Sequence, residues 1–555
     1  MKKSRISTLA IERLYITMRH LFNRGYYKPI NASGESLREM LLTLNPEIYG
    51  VIADKNKVEL DGLSYVIERL PEGIEECRFI CLTADEGYDK THFEAIVPPK
   101  RRRNCYRIDQ DQMNIEITRG RSDVYDVLTH LTFLFNESYK IMNRAYYSEV
   151  GEVSRAWKKV EEIVLSKEPL SPKEREVGLM HLSSILGRTY EETLDAYKKM
   201  QHPNSKERFF KIIYWLGEVA IREKLQDLKR EITFSATLRD YIGMHFHGEN
   251  WSKQIKHLLY KNNLLDKPLH IISANMHSVM NSLFAYQIGE KSFENKTNLE
   301  IYKALSVSEN KELRERVFQK ASENGMFYID DKSGSNIDIQ VFDLSKIDLS
   351  KTPFAKQNFK GNDVLIVMDY AFGEQAFEVI DELLKPYTVR KEKVYLNVKS
   401  VSIMGKAGIL QGDKGDIMIP TSHIIEGTAD NYPFENALRA EDFTGNRLGV
   451  YEGSMVTVMG TSLQNKDLLE YFKNSTWQAI GLEMEGAHYQ KAIQSASHIR
   501  KHISTDVVLR YAYYASDNPL ITGATLASGA LGFTGVKPTY LITEKILEQI
   551  LMNKS

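Results

Sequence analysis

From Leu269 onward, short apolar segments alternate with amphipathic helical segments. This alternation predicts an α/β domain built on a central sheet. Strands are predicted at Leu269–Ser273, Val364–Met368, Val394–Ile403, Asp416–Pro420, Val450–Met459 and Val507–Tyr514, and helices at His277–Tyr286, Gly373–Leu384 and Glu485–Ser495.

Three further segments complete the prediction for this part of the chain. Lys291–Asn324 is predicted as a helical insertion, and Phe327–Asp348 as a hairpin. The glycine-rich segment Gly523–Gly535 is expected to form a loop that covers a ligand site, before a last helix, Thr543–Met552. The composition changes near Asp266, so we predict two regions, 1–265 and 266–555.

Residues 1–265 are predicted to be mainly helical, with no role that the sequence reveals. Helices are predicted at Ser122–Glu137, after a capping box at Ser171, from Thr189, and at Phe209–Leu228, with short strands at Ser64–Glu68 and Arg78–Thr83.

The charge balance and the cysteine content exclude several classes of protein. Lys and Arg number 73 against 74 Asp and Glu, so a global basic field for nucleic acid is absent. The basic run Lys100–Arg103 is interpreted as a solvated loop. Three cysteines cannot build a disulfide framework and indicate a reducing compartment.

We therefore expect a cytoplasmic protein. No segment of about 18 apolar residues predicts a membrane span, and Glu12 interrupts the N-terminal apolar stretch, so no signal peptide is expected. His245 and His247 lack a third ligand in the sequence, so neither a metal nor another cofactor is expected.

Two groups of carboxylates near strand ends are the strongest candidates for chemistry. Glu483-Met484-Glu485 lies at a strand-to-helix junction, and Ser516-Asp517 follows an apolar strand. Burial there raises a carboxyl pKa and allows the group to act as a general acid. The alternative is structural: the glutamates cap a helix and Asp517 starts a turn.

A second candidate is Gly405-Lys406-Ala407-Gly408, interpreted as a glycine-rich turn after a strand. Such a turn presents backbone N–H groups to an anion. The segment lacks the GxxxxGK[ST] spacing, so a Walker-type nucleotide site is not supported.

Taken in order, these motifs resemble the nucleoside phosphorylase and nucleosidase superfamily, which includes methylthioadenosine/S-adenosylhomocysteine nucleosidase and AMP nucleosidase. The resemblance covers about residues 266–555. It rests on Leu269–His277, Asp369–Gly373, Gly405–Leu410 with Gly415-Asp416-Ile417, Gln478–Glu485 and Ser516–Leu520. It implies a three-layer domain with a central mixed sheet.

The resemblance also implies roles for individual residues. Glu485 would accept hydrogen bonds from the ribose hydroxyls, Met484 would pack on the sugar, and Glu483 would support the pocket. Asp517 would protonate a purine leaving group, with Ser516 orienting it. Leu463 and Gln464 fall where the family contacts the base.

The sequence departs from the family where phosphate or water is handled. His277 and Ile403 stand where phosphorylases have arginines, Lys406 replaces a serine or threonine, and no water-activating glutamate follows the first strand. Candidate anion-binding residues are Ser273, Gly405, Lys406 and Arg510. His277 is either part of an anion site or a base that activates water.

We therefore expect an N-glycosidase of purine metabolism and nucleotide salvage. It would hydrolyse a purine nucleoside or nucleotide in the manner of AMP nucleosidase. A phosphorylase with an altered phosphate site and a non-catalytic nucleotide sensor are the alternatives. The expected partners are a small-molecule substrate and further copies of the chain, forming a dimer to hexamer, with no nucleic acid and no membrane.

Overall fold

The computed structural model describes residues 2–101, 103–147, 149–166, 169–201, 207–357, 359–521 and 532–552. The chain forms two compact units. The first comprises Met1–Met244 with Ser462–Leu468, and the second comprises His245–Thr461 with Leu469–Ser555. The sequence placed the boundary near residue 265, about twenty residues later, because the composition changes only after the helix Phe246–Lys261.

The first unit is mainly helical, as predicted. Its helices are α1 (Lys2–Arg24), α2 (Ala32–Leu44), α3 (Leu60–Ile67), α4 (Gly120–Ala145), α5 (Arg155–Leu165), α6 (Pro172–Leu186), α7 (Tyr190–Lys199), α8 (Arg208–Gln226) and α9 (Ala236–Gly243). Capping boxes at Ser171 and Thr189 begin α6 and α7.

This unit also contains a six-stranded sheet of which the sequence revealed one strand. The strands are β1 (Tyr26–Tyr27), β2 (Phe79–Thr83), β3 (Ala95–Ile96), β4 (Cys105–Arg107), β5 (Gln112–Glu116) and β8 (Glu231–Phe234), with β6 (Tyr146–Tyr147) and β7 (Glu152–Val153) in a separate hairpin. The order in the sheet is β1-β8-β2-β5-β4-β3.

Two expectations for this unit were wrong. The predicted strand Ser64–Glu68 lies in and just after α3, where Leu63 and Val66 are buried at helical spacing and the Glu59 carboxylate accepts the first N–H groups. The basic run is not a solvated loop either. Arg103 is buried against Asp123 and Asp126.

The second unit has the predicted α/β architecture. Its helices are α10 (Phe246–Lys261), α11 (Met276–Phe284), α12 (Asn298–Leu305), α13 (Lys311–Glu323), α14 (Gln375–Leu383), α15 (Lys466–Asn474), α16 (Gly486–Gln494) and α17 (Val536–Leu551). Helix α15 begins in the segment that clusters with the first unit. Helices α12 and α13 form the predicted insertion.

The strands of the second unit are β9 (Leu269–Ser273), β10 (Met326–Ile329), β11 (Ile339–Asp343), β12 (Val364–Met368), β13 (Tyr387–Val389), β14 (Glu392–Val394), β15 (Val398–Ile409), β16 (Ile417–Ile425), β17 (Asn431–Pro433), β18 (Val450–Thr457), β19 (Ala479–Glu483) and β20 (Val508–Asp517). The antiparallel pair β10–β11 is the predicted hairpin. Of the glycine-rich segment Gly523–Gly535, residues 523–531 lie outside the described residues.

Ten of these strands form one mixed sheet. Parallel strands β12, β9 and β15 lie side by side, and β11 and β10 extend that edge antiparallel. Strand β15 also pairs with β20 and β19. Since β20 pairs with β16, β16 with β18, and β18 with β19, these five strands close into a ring.

Two apolar cores cover the faces of this sheet, and strand alternation divides residues between them. In β9, Ile271 belongs to the core beneath α10, α14 and α16, whereas Ile272 belongs to the core beneath α11, α13 and α17. These two helical layers and the sheet make the three-layer arrangement. In the described part of the chain, no helix is both long enough and apolar enough to cross a bilayer.

Candidate functional site

Polar side chains gather at the carboxyl ends of four strands of the second unit. Ser273 ends β9, Thr457 ends β18, Glu483 ends β19 and Asp517 ends β20. Thr457 is opposite Glu483 in the parallel pair β18–β19. Strand β15 brings the ends of β19 and β20 together, since its Gly408 pairs with Leu482 on one side and with Asp517 on the other.

Asp517 is a buried carboxyl group that is only half satisfied. Its Oδ1 lies 2.5 Å from Ser516 Oγ, whereas Oδ2 is buried with no hydrogen-bond partner among the described residues. Burial raises the pKa of Asp517, and the Ser516 hydroxyl and the ammonium groups of Lys406 and Lys414 oppose that rise. The free oxygen is thus available for a ligand atom.

Ser516 Oγ contacts two acceptor oxygens. It donates to Asp517 Oδ1, and it also lies 3.1 Å from the carbonyl oxygen of Ala407. Because Oδ1 accepts the serine hydroxyl, Oδ2 is the oxygen of Asp517 that can carry a proton toward a ligand.

Glu483 organises the turn between β19 and α16. Its Oε2 accepts the N–H groups of Glu485 and Gly486 at 2.5 Å each, and its Oε1 accepts the Thr457 hydroxyl at 2.5 Å. Burial raises the pKa of Glu483 to about 7, and these three hydrogen bonds oppose the rise. The residue therefore has the capping geometry that was the structural alternative.

Glu485 is placed differently from Glu483. It is only partly buried, and its Oε1 accepts the N–H of Gly373 at 2.9 Å. Burial, followed by the nearby Glu483 charge, raises the pKa of Glu485 to about 8, while the Gly373 N–H and the Lys406 ammonium oppose the rise. Met484 lies between the two glutamates and is also partly buried.

Lys406 reaches this site from a strand, not from a turn. Gly405 and Lys406 lie within β15, opposite Tyr513 and Tyr514 of β20, so the ladder uses their backbone groups and the expected glycine turn was wrong. The Lys406 side chain is exposed. Lys406 lies two residues before Gly408, whose ladder partner is Asp517, and its charge lowers the pKa of both Asp517 and Glu485.

His277 lies near the amino end of α11, where the Asn275 side chain accepts its backbone N–H at 3.0 Å. Partial desolvation lowers its pKa, and Asp369 opposes this shift. His277 and Lys406 line one cavity of about 690 Å³, together with Asn275, Tyr370 and Tyr514. That volume is typical of small-molecule sites.

The remaining candidate residues do not line this cavity. Ser273 is buried, with its Oγ 3.0 Å from the Tyr489 hydroxyl. Arg510 precedes Asp517 by seven residues in β20, roughly 23 Å along the strand, and its Nε donates to Gln549. Leu463 and Gln464 are buried and cluster with the first unit, so their proposed base contact gains no support.

One group of side chains has the composition of a metal site. His245, Asp381 and Glu382 bring three ligand atoms within 4.8 Å of one another. However, Arg500 pairs with Asp381, and Lys385 Nζ lies 2.5 Å from Glu382 Oε1. We interpret the group as an ion-pair network, because its carboxylates already face two cations.

Three contributors to the site carried no recognisable signal in the sequence. Gly373 acts through its backbone N–H, Thr457 through a hydroxyl at the end of a strand, and Tyr489 through its contact with Ser273. Asn275 could have been predicted from the sequence, since an Asn directly after an apolar strand is a common helix N-cap.

The arrangement provides two carboxyl groups in different environments and one nearby cation. Burial raises the pKa of Asp517, and this is the direction that proton donation to a leaving group requires. Glu485 is more exposed and has one oxygen held by Gly373, which suits an acceptor for substrate hydroxyl groups. Lys406 between them supplies positive charge for an anionic group.

Comparison with solved structures finds proteins similar to about half of the chain. Futalosine hydrolase of Helicobacter pylori is 13% identical, with a TM-score of 0.30, and covers 51% of this chain and 98% of its own. The Campylobacter jejuni 5′-methylthioadenosine/S-adenosyl homocysteine nucleosidase is 10% identical, with a TM-score of 0.31 and the same coverages. Arabidopsis thaliana 5′-methylthioadenosine nucleosidase is 10% identical, with a TM-score of 0.30, covering 52% and 98%.

No curated protein matches the sequence. One family model matches residues 35–293 and again 287–552, so it spans both units. The chain belongs to this family, which is described as a family of unknown function (DUF6909).

Proposed function

We propose that the second unit hydrolyses the N-glycosidic bond of a purine nucleoside or nucleotide. The observation that carries the proposal is the state of Asp517, a buried carboxyl group with a raised pKa and one unpartnered oxygen at the end of β20. A purine leaves readily only when one of its ring nitrogens is protonated, and Asp517 is the proposed donor.

Glu485 is the proposed acceptor for the ribose 2′- and 3′-hydroxyl groups. As the bond to the base breaks, the sugar acquires oxocarbenium character. That developing positive charge favours the ionised form of Glu485, whose pKa in the free site is about 8, and the carboxylate in turn stabilises the charge. Glu483 is a positioning residue, because its hydrogen bonds to the N–H groups of Glu485 and Gly486 hold the turn that carries Glu485.

Water is the proposed nucleophile: its oxygen bonds to the anomeric carbon as the bond to the base breaks. The proton that the water loses passes to solvent, from which Asp517 regains the proton that it gave to the base. The positions that hold phosphate in the phosphorylases which the sequence resembles are His277 and Ile403 here, and Ile403 is buried. An aliphatic side chain offers phosphate neither charge nor a hydrogen bond. Hydrolysis is therefore favoured over phosphorolysis.

The test is release of free base by the purified full-length chain. AMP, adenosine, inosine, guanosine and methylthioadenosine are each incubated with and without inorganic phosphate, and the free base is quantified by chromatography. Base release without phosphate is expected for at least one substrate. Strict dependence on phosphate would indicate a phosphorylase, and binding of nucleotide with no release would indicate a sensor.

A further inference from the structure

The cavity beside Lys406 extends to the helical insertion. Its wall includes Arg314 of α13, Leu305 at the end of α12, and Ser306 and Ser308 in the connection between them. None of these residues belongs to the motifs that resemble known nucleosidases. The insertion therefore adds a wall, and a positive charge, to the cavity that His277 and Lys406 line.

Among the described residues, no carboxylate forms an ion pair with Arg314, although its charge lowers the pKa of the nearby Glu309. Its guanidinium donates to the carbonyl oxygens of Leu305 at 3.2 Å, Ser308 at 3.1 Å and Val307. These acceptors are neutral, and they use three of the five N–H donors. The bonds fix the orientation of the guanidinium and leave donors and charge for an anion.

Two helix N-termini line the same cavity. The first residues of α11 contribute Asn275, His277 and Ser278, and the start of α17 contributes Gly535 and Val536. The partial positive charge at each N-terminus adds to the charges of Arg314 and Lys406.

The wall also contains a buried polar atom with no partner. Asn281 is 3% exposed, its Nδ2 donates to the Tyr540 hydroxyl at 2.7 Å, and its Oδ1 has no hydrogen-bond partner among the described residues. Buried amide atoms rarely remain unpaired in folded proteins. A polar ligand in the cavity would provide the missing partner.

The two cations act on different ends of the cavity. Lys406 is among the charges that act on Asp517 and Glu485, whereas Arg314 is among those that act on His277 and not on either carboxyl group. Arg314 lines the cavity and Asp517 does not, so an anion held by Arg314 lies away from the proposed acid and from the base that it would protonate. A phosphate on the 5′ carbon of the substrate meets this condition, whereas an attacking inorganic phosphate must reach the anomeric carbon.

We propose that Arg314, with His277, forms a subsite for the 5′-phosphate of a nucleoside monophosphate, so that the helical insertion makes the protein specific for nucleotides. This inference rests on the proposed function for its substrate. It assigns His277 to anion binding, one of the two roles the sequence left open.

The test compares AMP with adenosine in three variants of the full-length chain. Arg314→Gln removes the charge, Arg314→Lys keeps it, and Arg316→Gln is the matched control, since Arg316 lies in the same helix and pairs with Glu290 instead of lining the cavity. Initial rates of adenine release give kcat/KM for both substrates, and melting temperatures check folding.

The subsite predicts that kcat/KM is higher for AMP than for adenosine by at least about tenfold. Arg314→Gln should lower the value for AMP roughly tenfold to a hundredfold and leave adenosine unchanged, whereas Arg314→Lys should retain part of the preference. Equal rates for AMP and adenosine in the parent protein overturn the proposal. Equal losses for both substrates in Arg314→Gln overturn it as well.

Two further arms separate this inference from the proposed function. If no substrate releases base, calorimetric titration of AMP and adenosine into the same variants tests the phosphate subsite independently of catalysis. Tighter binding of AMP than of adenosine, abolished by Arg314→Gln, supports the subsite. Equal affinities for the two ligands overturn it. If adenine release from adenosine requires inorganic phosphate and Arg314→Gln removes that response, the cavity holds a co-substrate and the proposal is wrong.

Discussion

Ser516 Oγ lies 2.5 Å from Asp517 Oδ1, at the end of the strand that pairs with β15. The hydroxyl links the carboxyl group to the Ala407 carbonyl of that neighbouring strand. The orientation of the candidate acid is therefore set by the sheet, and Asp517 Oδ2 is left for the substrate.

Ser516→Ala is expected to lower kcat about tenfold with little change in KM. The substitution removes the group that orients Asp517, which acts in the transition state more than in binding. Steady-state kinetics of base release measures this effect. A rise in KM at constant kcat would show that Ser516 contributes to binding instead.

Lys406→Met is expected to move the basic limb of the pH profile of kcat/KM to higher pH. Lys406 lowers the pKa of Asp517, so its loss raises that pKa and keeps the acid protonated over a wider range. Lys399→Met is the control, because Lys399 is exposed on the same strand. An unchanged or downward-shifted limb would contradict the placement of Lys406 near Asp517.

Gly481→Ala is expected to destabilise the protein by about 1–3 kcal/mol through overpacking. A Cβ atom at Gly481 would lie 2.6 Å from the backbone oxygen of Gly408 on the adjacent strand, which cannot rotate away. Gly427→Ala is the control, because its Cβ would meet nothing within 4 Å. Denaturant unfolding of both variants measures the difference, and equal stabilities would contradict the packing described for β15 and β19.

Acid should destabilise the fold through His423. Burial lowers the pKa of His423 to about 3, whereas the unfolded chain titrates near 6.5. The unfolded state then binds the additional proton, so this stability is present above pH 6.5 and is lost as the pH falls toward 3. The loss amounts to at most about 5 kcal/mol.

His423→Gln should flatten the dependence of the free energy of unfolding on pH between 6.5 and 4. The comparison concerns the slope, since the substitution also changes packing against Phe434. A variant as acid-sensitive as the parent protein would assign the effect to other buried groups.

Much of the second unit could be predicted because its strands are long apolar segments bounded by helices with clear periodicity. The sheet of the first unit could not, since β1, β3 and β4 have only two or three residues and carry no alternation to recognise. Arg103 was misread for a related reason. Its partners Asp123 and Asp126 lie on a helix some twenty residues away, and pairing of that kind is invisible in a charge count.

The candidate site, too, could be predicted only in part from the sequence. The carboxyl residues Glu483, Glu485 and Asp517 could be predicted because strand ends are recognisable in the sequence. Lys406 was assigned to a turn because the glycines around it obscured a twelve-residue strand. Arg314 gave no signal at all, since a single arginine in a charged helix is ordinary until the fold places it on a cavity wall.

The central claim is that Asp517 donates a proton to the departing base, and one variant tests it most directly. The test assays Asp517→Asn and a control, Asp506→Asn, with the best purine substrate and with 4-nitrophenyl riboside, whose leaving group needs no proton. Asp506 is exposed and lies just before the same strand.

Asp517→Asn is predicted to lower base release from the purine substrate by at least about a hundredfold and to retain activity on the nitrophenyl riboside within about tenfold. Asp506→Asn should leave both activities unchanged. An Asp517→Asn protein that releases purine base at the parent rate, or that loses both activities equally while still folded, would contradict the assignment of Asp517 as the acid.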